Sequence, residues 1–240
     1  MSLQKLRIIK EGKSKKLYWV NSNTALMVFK DDITAFNGAK HDVIDGKGKV
    51  CAAISARLFE ILNKSGIKTH FIRYVPPRSH EVRILEMIPL EVVCRNIAFG
   101  SLLKRLPLFK PKESLSRPIV EFFLKDDSLN DPFLSEEYVS LLNILSHEEI
   151  SYIKQITLKV NEILRDFLHE RELLLVDFKL EFGRDEDGNL VIGDELTCDT
   201  MRLWDIRTGE ILDKDLYRMG KPLDVVWRGY LTCYERIVLR

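Results

Sequence analysis

The sequence has no apolar run that approaches the ~20 residues a membrane-spanning helix requires, and its opening stretch, MSLQKLRIIKEGKSKK, is too broken by charge to be a secretory leader. A cytoplasmic protein is therefore expected, with no membrane partner. It also has almost no net charge. Its 37 Lys and Arg against 36 Asp and Glu give +1, which removes the electrostatic reason to expect nucleic acid as a main partner. The four cysteines, Cys51, Cys94, Cys198 and Cys233, lie far apart. That excludes the close pairs of a zinc ribbon or a redox dithiol, and the cysteines read as reduced, mostly buried thiols. His41, His70, His80, His147 and His169 are equally scattered and read as structural or solvated. There is no internal repeat, no low-complexity tract, no Walker loop and no GxGxxG. The HRD and DFG of protein kinases are also missing. Any nucleotide site must then be a sheet flap, as in kinases and grasp-type ligases.

What is present is an ordinary globular balance: 240 residues, 45% hydrophobic and 30% charged, enough for one large domain or two lobes. LRIIKEGKSKKLYWV and ALMVFK read as short strands. VCAAISARLFEILNKSG reads as a helix, with Val50, Ile54, Leu58 and Ile61 at helical spacing and Gly66 at its stop. HFIRYV, EVRILEMI and EVVCRNI read as further strands, divided by PPRS and by Pro89. Ser146 with Glu149 forms a capping box before a long amphipathic helix to about Glu170, and Pro222 opens a last helix that runs to Arg240. The fold class expected is α+β with two lobes. A sheet-rich N-terminal lobe over residues 1–88 carries a phosphate-binding loop, and an α+β C-terminal lobe spans residues 89–240. A hinge is expected near residues 86–90, with a cleft between the lobes.

The acid-rich stretch LLLVDFKLEFGRDEDGNLVIGDELTCD, residues 173–199, reads as two strands around a turn. Asp187-Gly188 suits a two-residue type I′ turn, which sets Glu186 opposite Asn189 and Glu181 opposite Asp194. Facing carboxylates on paired strands repel, by ~3 kcal/mol at ~5 Å with an effective dielectric of ~20. A hard divalent cation relieves the conflict, and Mg²⁺ is commonly held by one or two carboxylates together with nucleotide phosphates. Strand alternation puts Asp177, Lys179 and Glu181 on one face, and Val176, Phe178 and Leu180 on the core face. A solvated polar face with Lys179 bridging its acids accounts for the same letters.

Three other stretches carry chemistry-bearing residues. KEGKSKKLY, residues 10–18, sets one glycine among lysines between two strands, so Lys13 or Lys15 could meet phosphates; a basic hairpin tip is the plainer reading. DDITAFNGAKHDVIDGKG, residues 31–48, reads as a long polar loop with three glycines. CRNIAFGSLLKR, residues 94–105, passes from strand to helix through Gly100-Ser101. There Ser101 and the helix amides can seat an anion, and Arg95 can clamp a carboxylate or phosphate. An N-cap serine and a surface arginine would look the same.

Taken together, EGKSKKLY, DDITAFNG with KHDVIDGKG, EVVCRNIAFGSLLKR, EFFLKDDSLNDP, LVDFKLEFG and GDELTCDTMRLWD resemble the SAICAR synthetase family of purine biosynthesis. The motifs occur in the family's order over nearly the whole chain. The resemblance implies a two-lobed fold with an ATP cleft. It also implies an ATP- and Mg²⁺-dependent ligase that joins L-aspartate to a carboxylated aminoimidazole ribonucleotide, and a homodimer. Carried over by motif, Lys13 and Lys15 are implied at ATP phosphates, Lys125 at the nucleotide ribose, and backbone near Glu86 and Met87 at adenine. Glu181 and Asp194 are implied at the metal, Arg95, Ser101, Asp199 and Arg202 at the ribonucleotide, and Lys179 at its reacting carboxylate. Lys179, Asp199 and Arg202 make up the catalytic group.

The chain departs from the family pattern at Asn37, where Asp is frequent, at Asn130, where His is frequent, and at Cys198, where proline is frequent. Asn37 keeps hydrogen-bonding capacity but removes a charge from a position implied in placing aspartate. Cys198 is expected to be accessible in the open cleft. A small-molecule kinase of the inositol-phosphate type is the nearest rival reading, and a nucleotide-binding regulatory module without turnover is the other.

Overall fold

A computed structural model describes residues 6–240. Residues 1–5, which begin the stretch read above as no leader, lie outside it. The first sheet is built from β1 (Ile8–Glu11), β2 (Lys15–Trp19), β3 (Thr24–Phe29), β6 (Phe71–Val75) and β7 (Ser79–Arg83) in the order β1-β2-β3-β7-β6. Between β3 and β6 the chain forms a two-stranded ribbon, β4 (Asp32–Ala35) and β5 (Lys40–Val43), and then helix α1 (Lys47–Lys64). The ribbon replaces the long loop expected over residues 31–48. Its 3-10 turn, Phe36–Gly38, puts Asn37 at the tip.

Helix α1 begins three residues earlier than its apolar repeat suggests. Gly46 in the left-handed region ends the preceding turn, and the Asp31 carboxylate accepts the Gly48 amide at 2.8 Å. Val50, Ile54, Leu58 and Leu62 then bury one stripe against the first sheet. Gly48 lies against the end of β3: a Cβ there would stand 2.7 Å from the Phe29 carbonyl oxygen and 2.9 Å from that of Lys30.

The second sheet runs β10-β9-β8-β11-β12, with β13 also on β11. Its strands are β8 (Glu86–Ile97), β9 (Ser114–Leu124), β10 (Phe133–Leu134), β11 (Leu173–Arg184), β12 (Leu190–Gly193) and β13 (Met201–Asp205). Strand β8 passes straight through Pro89, joining the end of the expected EVRILEMI strand to EVVCRNI, while residues 81–83 belong to β7; the expected hinge residues 86–90 lie within β8. Proline is tolerated because the β8–β11 register shifts between Glu181 and Gly183, opposite this stretch. The Pro89 carbonyl is still used, accepting the Lys125 amide at 3.0 Å.

Helices α2 (Ser101–Arg105) and α3 (Glu136–Leu141) are short. Helix α4 (His147–His169) covers β8, β9 and β11 with Ile150, Ile153, Val160, Leu164 and Leu168. Its capping box is present: the Ser146 amide donates to Glu149 Oε2 at 2.9 Å, and the Glu149 amide to Ser146 Oγ at 3.2 Å. Such caps contribute about 1 kcal/mol. After β13 come α5 (Asp215–Arg218) and α6 (Leu223–Tyr234), which opens at Pro222 and continues as the π-helical turn Glu235–Leu239. The two antiparallel sheets, with α1 on one and α4 on the other, form a two-lobed α+β fold. Among the described residues no helix is long and apolar enough to cross a membrane.

The hairpin of β11 and β12 differs from its expected register. Glu181 pairs with Gly193 and Arg184 with Leu190, one residue away from the facing of Glu181 and Asp194. The turn explains the slip. Only Gly188 takes a positive φ, +79°, while the Asp185 side chain accepts the amides of Asp187 and Asn189. Asp185 and Asn189 therefore close a three-residue loop, and the two-residue type I′ turn is not formed. A second irregularity, between Leu175 and Asp177 in the pairing with β13, moves Val176 off the main core. It packs instead with Ile97 and Trp204, while Phe178 and Leu180 stay in the main core.

Candidate functional site

Strand β11 is paired along one edge by β8. On its other edge β12 covers residues 181–184 and β13 covers residues 173–178. The chain between β12 and β13, residues 194–200, leaves the sheet at this split. Inside the split the Lys179 amide donates to the Thr200 carbonyl at 2.8 Å. The polar face of β11 and the loop that leaves it thus build one site from a single strand-loop-strand unit.

At one end of the split, carboxylates meet lysines. Glu181, 2% exposed, accepts from Lys179 at 3.1 Å and from Lys125. Lys179 also donates to Glu91 of β8 at 2.6 Å. Asp194 turns into the site because its φ is +59°, which aims its carboxylate at Lys15 of β2, 2.6 Å away. Lys15 also holds the buried Glu195 at 2.5 Å, and Glu195 accepts from Ser14 Oγ at 3.1 Å. Burial disfavours a charged Asp194, but Lys15, Lys179 and Lys125 outweigh it and hold this carboxyl well below its ordinary range. The same exchange works in reverse for Lys179, where burial opposes its charge and Glu181 and Glu91 more than restore it.

The expected acids are therefore together, and the conflict posed by their charges is met by lysines. Glu195 and Glu91 belong to the cluster and were not singled out by the sequence. The hint for Glu195 was its place beside Asp194 in GDELTCD. Glu181 and Asp194 offer hard carboxylate oxygens, the donor type Mg²⁺ takes. Among the described residues no three or more His, Cys, Asp or Glu are grouped to hold an ion alone, so phosphate and water would complete its shell.

At the other end arginines share carboxylates. Asp177 Oδ2 accepts from Arg202 Nη1 at 2.7 Å and from Arg95 Nη1 at 3.1 Å. Arg202 further donates to Asp215 at 2.6 Å, and Arg95 to Glu121 at 2.6 Å and to Ser101 Oγ at 2.9 Å. Arg95 is 2% exposed, so it stands behind Ser101 and Asp177 instead of on the surface. Arg202 is the more open of the two, with 18% of its side chain exposed.

Asp199 lies between the two ends. Its Oδ2 is 2.5 Å from the buried Lys47 ammonium at the start of α1, and its Oδ1 accepts from Tyr230 Oη of α6 at 2.6 Å. Burial would raise this carboxyl, but Lys47 and Lys214 hold it well below the ordinary range. Lys47 and Tyr230 were missed because they come from distant segments, and a lysine in DGKG is by itself only a loop lysine. Cys198 is fully buried, 0% exposed, and turned toward Cys233, which corrects the expectation of an accessible thiol. All four cysteines are buried and unpaired.

The remaining expected residues lie on the rim. Glu86 and Met87 are exposed at the start of β8. Lys13, at the tip between β1 and β2, pairs with Asp127 at 2.6 Å. Asn37 donates to Asn130 Oδ1 at 3.0 Å, so two of the three departures from the family pattern bond to each other.

A lysine-bearing tip on one antiparallel sheet, facing acids and arginines along a split in another, defines a nucleotide-using enzyme of the sheet-flap kind. The family model described as SAICAR synthetase matches residues 8–232. A phosphoribosylaminoimidazole-succinocarboxamide synthase of Methanocaldococcus jannaschii is 48% identical over 228 residues, covering 95% of this chain and 93% of the relative. A solved SAICAR synthetase in complex with ADP superposes with a TM-score of 0.93 at 44% identity, covering 98% of each chain. The corresponding synthase of Ehrlichia chaffeensis gives 0.92 at 40% identity, covering 96% of this chain and 98% of that one. The chain belongs to the SAICAR synthetase family, and is an ATP-dependent ligase of purine biosynthesis.

Proposed function

We propose that the protein joins L-aspartate to the carboxylate of 5-amino-1-(5-phospho-D-ribosyl)imidazole-4-carboxylate, using ATP and Mg²⁺ and giving SAICAR, ADP and phosphate. The observation that carries this reading is the split beside β11, with Lys15, Glu181 and Asp194 at one end and Arg202 with Ser101 at the other. A carboxylate is a poor electrophile. Its oxygen attacks the γ-phosphoryl group and ADP leaves, so the carboxylate becomes an acyl phosphate. The aspartate amine then attacks the acyl carbon, the C–O bond to phosphate breaks, and the amine proton leaves with the phosphate. No side-chain nucleophile is needed, and the protein's work is positioning and charge neutralisation.

Lys13 and Lys15 meet the ATP phosphates, Lys125 the ribose, and backbone near Glu86 and Met87 the adenine. Glu181 and Asp194 hold Mg²⁺, which when bound offsets charge on the phosphates. Lys179 meets the reacting carboxylate. Arg202 and Ser101 take the ribonucleotide's anionic end with Arg95 behind them, and Asp199 orients the substrate from its seat between Lys47 and Tyr230. The ADP named in the 44% identical solved relative supports the nucleotide part. The lobes are assigned to residues 1–88 and 89–240, a boundary just inside β8, the first strand after the first sheet ends at Arg83. The working form is a cytoplasmic homodimer. The test supplies ATP, Mg²⁺ and the carboxylated ribonucleotide with and without aspartate. Stoichiometric product that requires aspartate supports the ligase, while ADP release with phosphorylated ribonucleotide regardless of aspartate replaces it with a kinase.

A further inference from the structure

The hydroxyl of Ser101 has its direction set from behind. Its Oγ accepts from Arg95 Nη2 at 2.9 Å, so its own proton points away from Arg95 and can be donated, the polarity an oxyanion needs. That polarity holds only while Arg95 presents Nη2. The guanidinium is pinned at its other two nitrogens, where Nη1 donates to Asp177 Oδ2 at 3.1 Å and Nε to Glu121 Oε2 at 2.6 Å. Asp177 Oδ2 is shared with Arg202, so the shorter hold on Arg95 is that of Glu121. Glu121 lies on β9 opposite Val93 of β8, and Arg95, two residues along β8, falls on the same face. Glu121 is fixed in turn. Its Oε1 accepts from Arg105 of α2, whose guanidinium lies 5.1 Å from the ring centres of both Phe123 and Phe133. Those rings meet edge to face at 5.8 Å, so the planar cation rests against two aromatic side chains. The side chains of Arg95 and Glu121 are only 2% and 11% exposed, and little water reaches them to replace a lost partner.

We propose that Glu121 is a positioning residue for the ribonucleotide: by dividing its two oxygens between Arg105 and Arg95, it sets the guanidinium that turns the Ser101 hydroxyl toward the substrate. The inference rests on the ligase reading above, and adds β9 with its Phe123–Phe133 pair to what orients that end of the site. Glu121 itself meets no reactant, since both of its oxygens are taken. An amide in its place has one oxygen to offer two arginines, and must turn its NH₂ group against one of them.

The experiment compares the full-length wild type with Glu121→Gln, Ser101→Ala and the double variant, varying each substrate with the others saturating. Glu121→Gln is expected to raise the ribonucleotide KM at least about fivefold, while kcat and the KM values for ATP and aspartate stay within about twofold. An acid with only a structural role would lower the melting temperature and disturb all three substrates alike. The double variant tests the route: if Glu121 acts through the Ser101 hydroxyl, Glu121→Gln adds less than about twofold once Ser101 is replaced. Glu121→Asp keeps the charge but draws the carboxylate back by one methylene. It should raise the same KM by less than Glu121→Gln does, and it carries the test if the amide variant does not fold. An unmoved ribonucleotide KM in whichever variant folds would overturn the role, as would fold-changes that multiply in the double variant. A wild type that makes no SAICAR would sink the ligase reading instead. Calorimetric titration of the ribonucleotide into the same proteins needs no turnover and would still decide for or against Glu121.

Discussion

The ammonium of Lys15 lies 2.6 Å from Oδ1 of Asp194, so the residue assigned to ATP phosphate and a residue assigned to the metal hold each other directly. Lys15 has one donor left beside those it gives to Asp194 and Glu195, and a cation taken up by Asp194 loosens that hold and frees more of the ammonium for a phosphate. Mg²⁺ and nucleotide should therefore strengthen each other's binding, with a coupling of about 1–3 kcal/mol. Titration calorimetry of Mg²⁺ with and without a saturating non-hydrolysable ATP analogue measures it. Lys15→Met should lose nucleotide affinity while binding Mg²⁺ alone more tightly, and equal Mg²⁺ affinity in both proteins would show that Lys15 does not guard the acids.

The same lysines reverse the sign of a stability effect. If Glu181 simply faced another acid, Glu181→Gln would relieve repulsion and stabilise the protein. Glu181 instead accepts from Lys125 and Lys179 while nearly fully buried. Glu181→Gln is then expected to destabilise by about 1–3 kcal/mol, the loss of one charged hydrogen-bonded partner inside a network. Urea unfolding reads this, and a more stable variant would restore the repulsion account.

Arg202 holds Asp177 through Nη1 and Asp215 through Nε. A lysine cannot make both contacts and also reach an anion. Arg202→Lys should raise the ribonucleotide KM by roughly tenfold or more and leave ATP binding nearly intact. Steady-state kinetics at saturating ATP check it, and an unmoved ribonucleotide KM would take Arg202 out of the substrate site.

Native thiols should be inert. Cys51, Cys94, Cys198 and Cys233 are all buried, and burial pushes the Cys51 and Cys94 thiols up from the ordinary 9.0. Alkylation followed by mass spectrometry should label none of the four until denaturant is added. Fast labelling of Cys198 that the ribonucleotide slows would instead place that thiol in the cleft.

Asp213 gives a pH signature. Burial and then Asp215 push its carboxyl from 3.8 up to about 7, against the amides of Asp215 and Leu203 that it accepts. Its folded value is above its unfolded one, so its contribution is fully present below 3.8 and lost as pH rises through about 7. Asp194 and Asp199 run the other way: held below 3.8, they contribute above that pH and lose the contribution as pH falls through their folded values. Raising the pH from 5 to 8.5 should therefore favour Asp213→Asn relative to wild type in calorimetric melting temperature. A constant difference would mean that Asp213 is ionised throughout.

Local signals in the sequence were the ones that survived folding. The Ser146–Glu149 capping box needs only a tetrapeptide, and the α1 stripe needs only spacing, and both are present. The hairpin register was misread because the outcome depended on one side chain. Asp185 captured the amides of Asp187 and Asn189, which turned a two-residue loop into three and moved every pair by one. The face of β11 still carried Asp177, Lys179 and Glu181 together, because alternation within a strand does not depend on its partner's register. Pro89 misled for a related reason: proline interrupts a ladder only where its neighbour needs the missing donor, and here the pairing already slips. Lys47, Tyr230 and Lys214 were beyond any local reading, since each acquires meaning only from Asp199, supplied by a different part of the chain.

The contact of Gly48 with β3 has a genetic consequence. Any side chain there would press on the Phe29 and Lys30 carbonyls and shift the start of α1, carrying the adjacent Lys47 away from Asp199. In a selection for growth without added purines, changes at Gly48 should cluster with lesions of the reaction centre, although the residue meets no reactant. A map of intolerant positions drawn from such a selection would trace the scaffold beneath Asp199 as sharply as the ligands themselves.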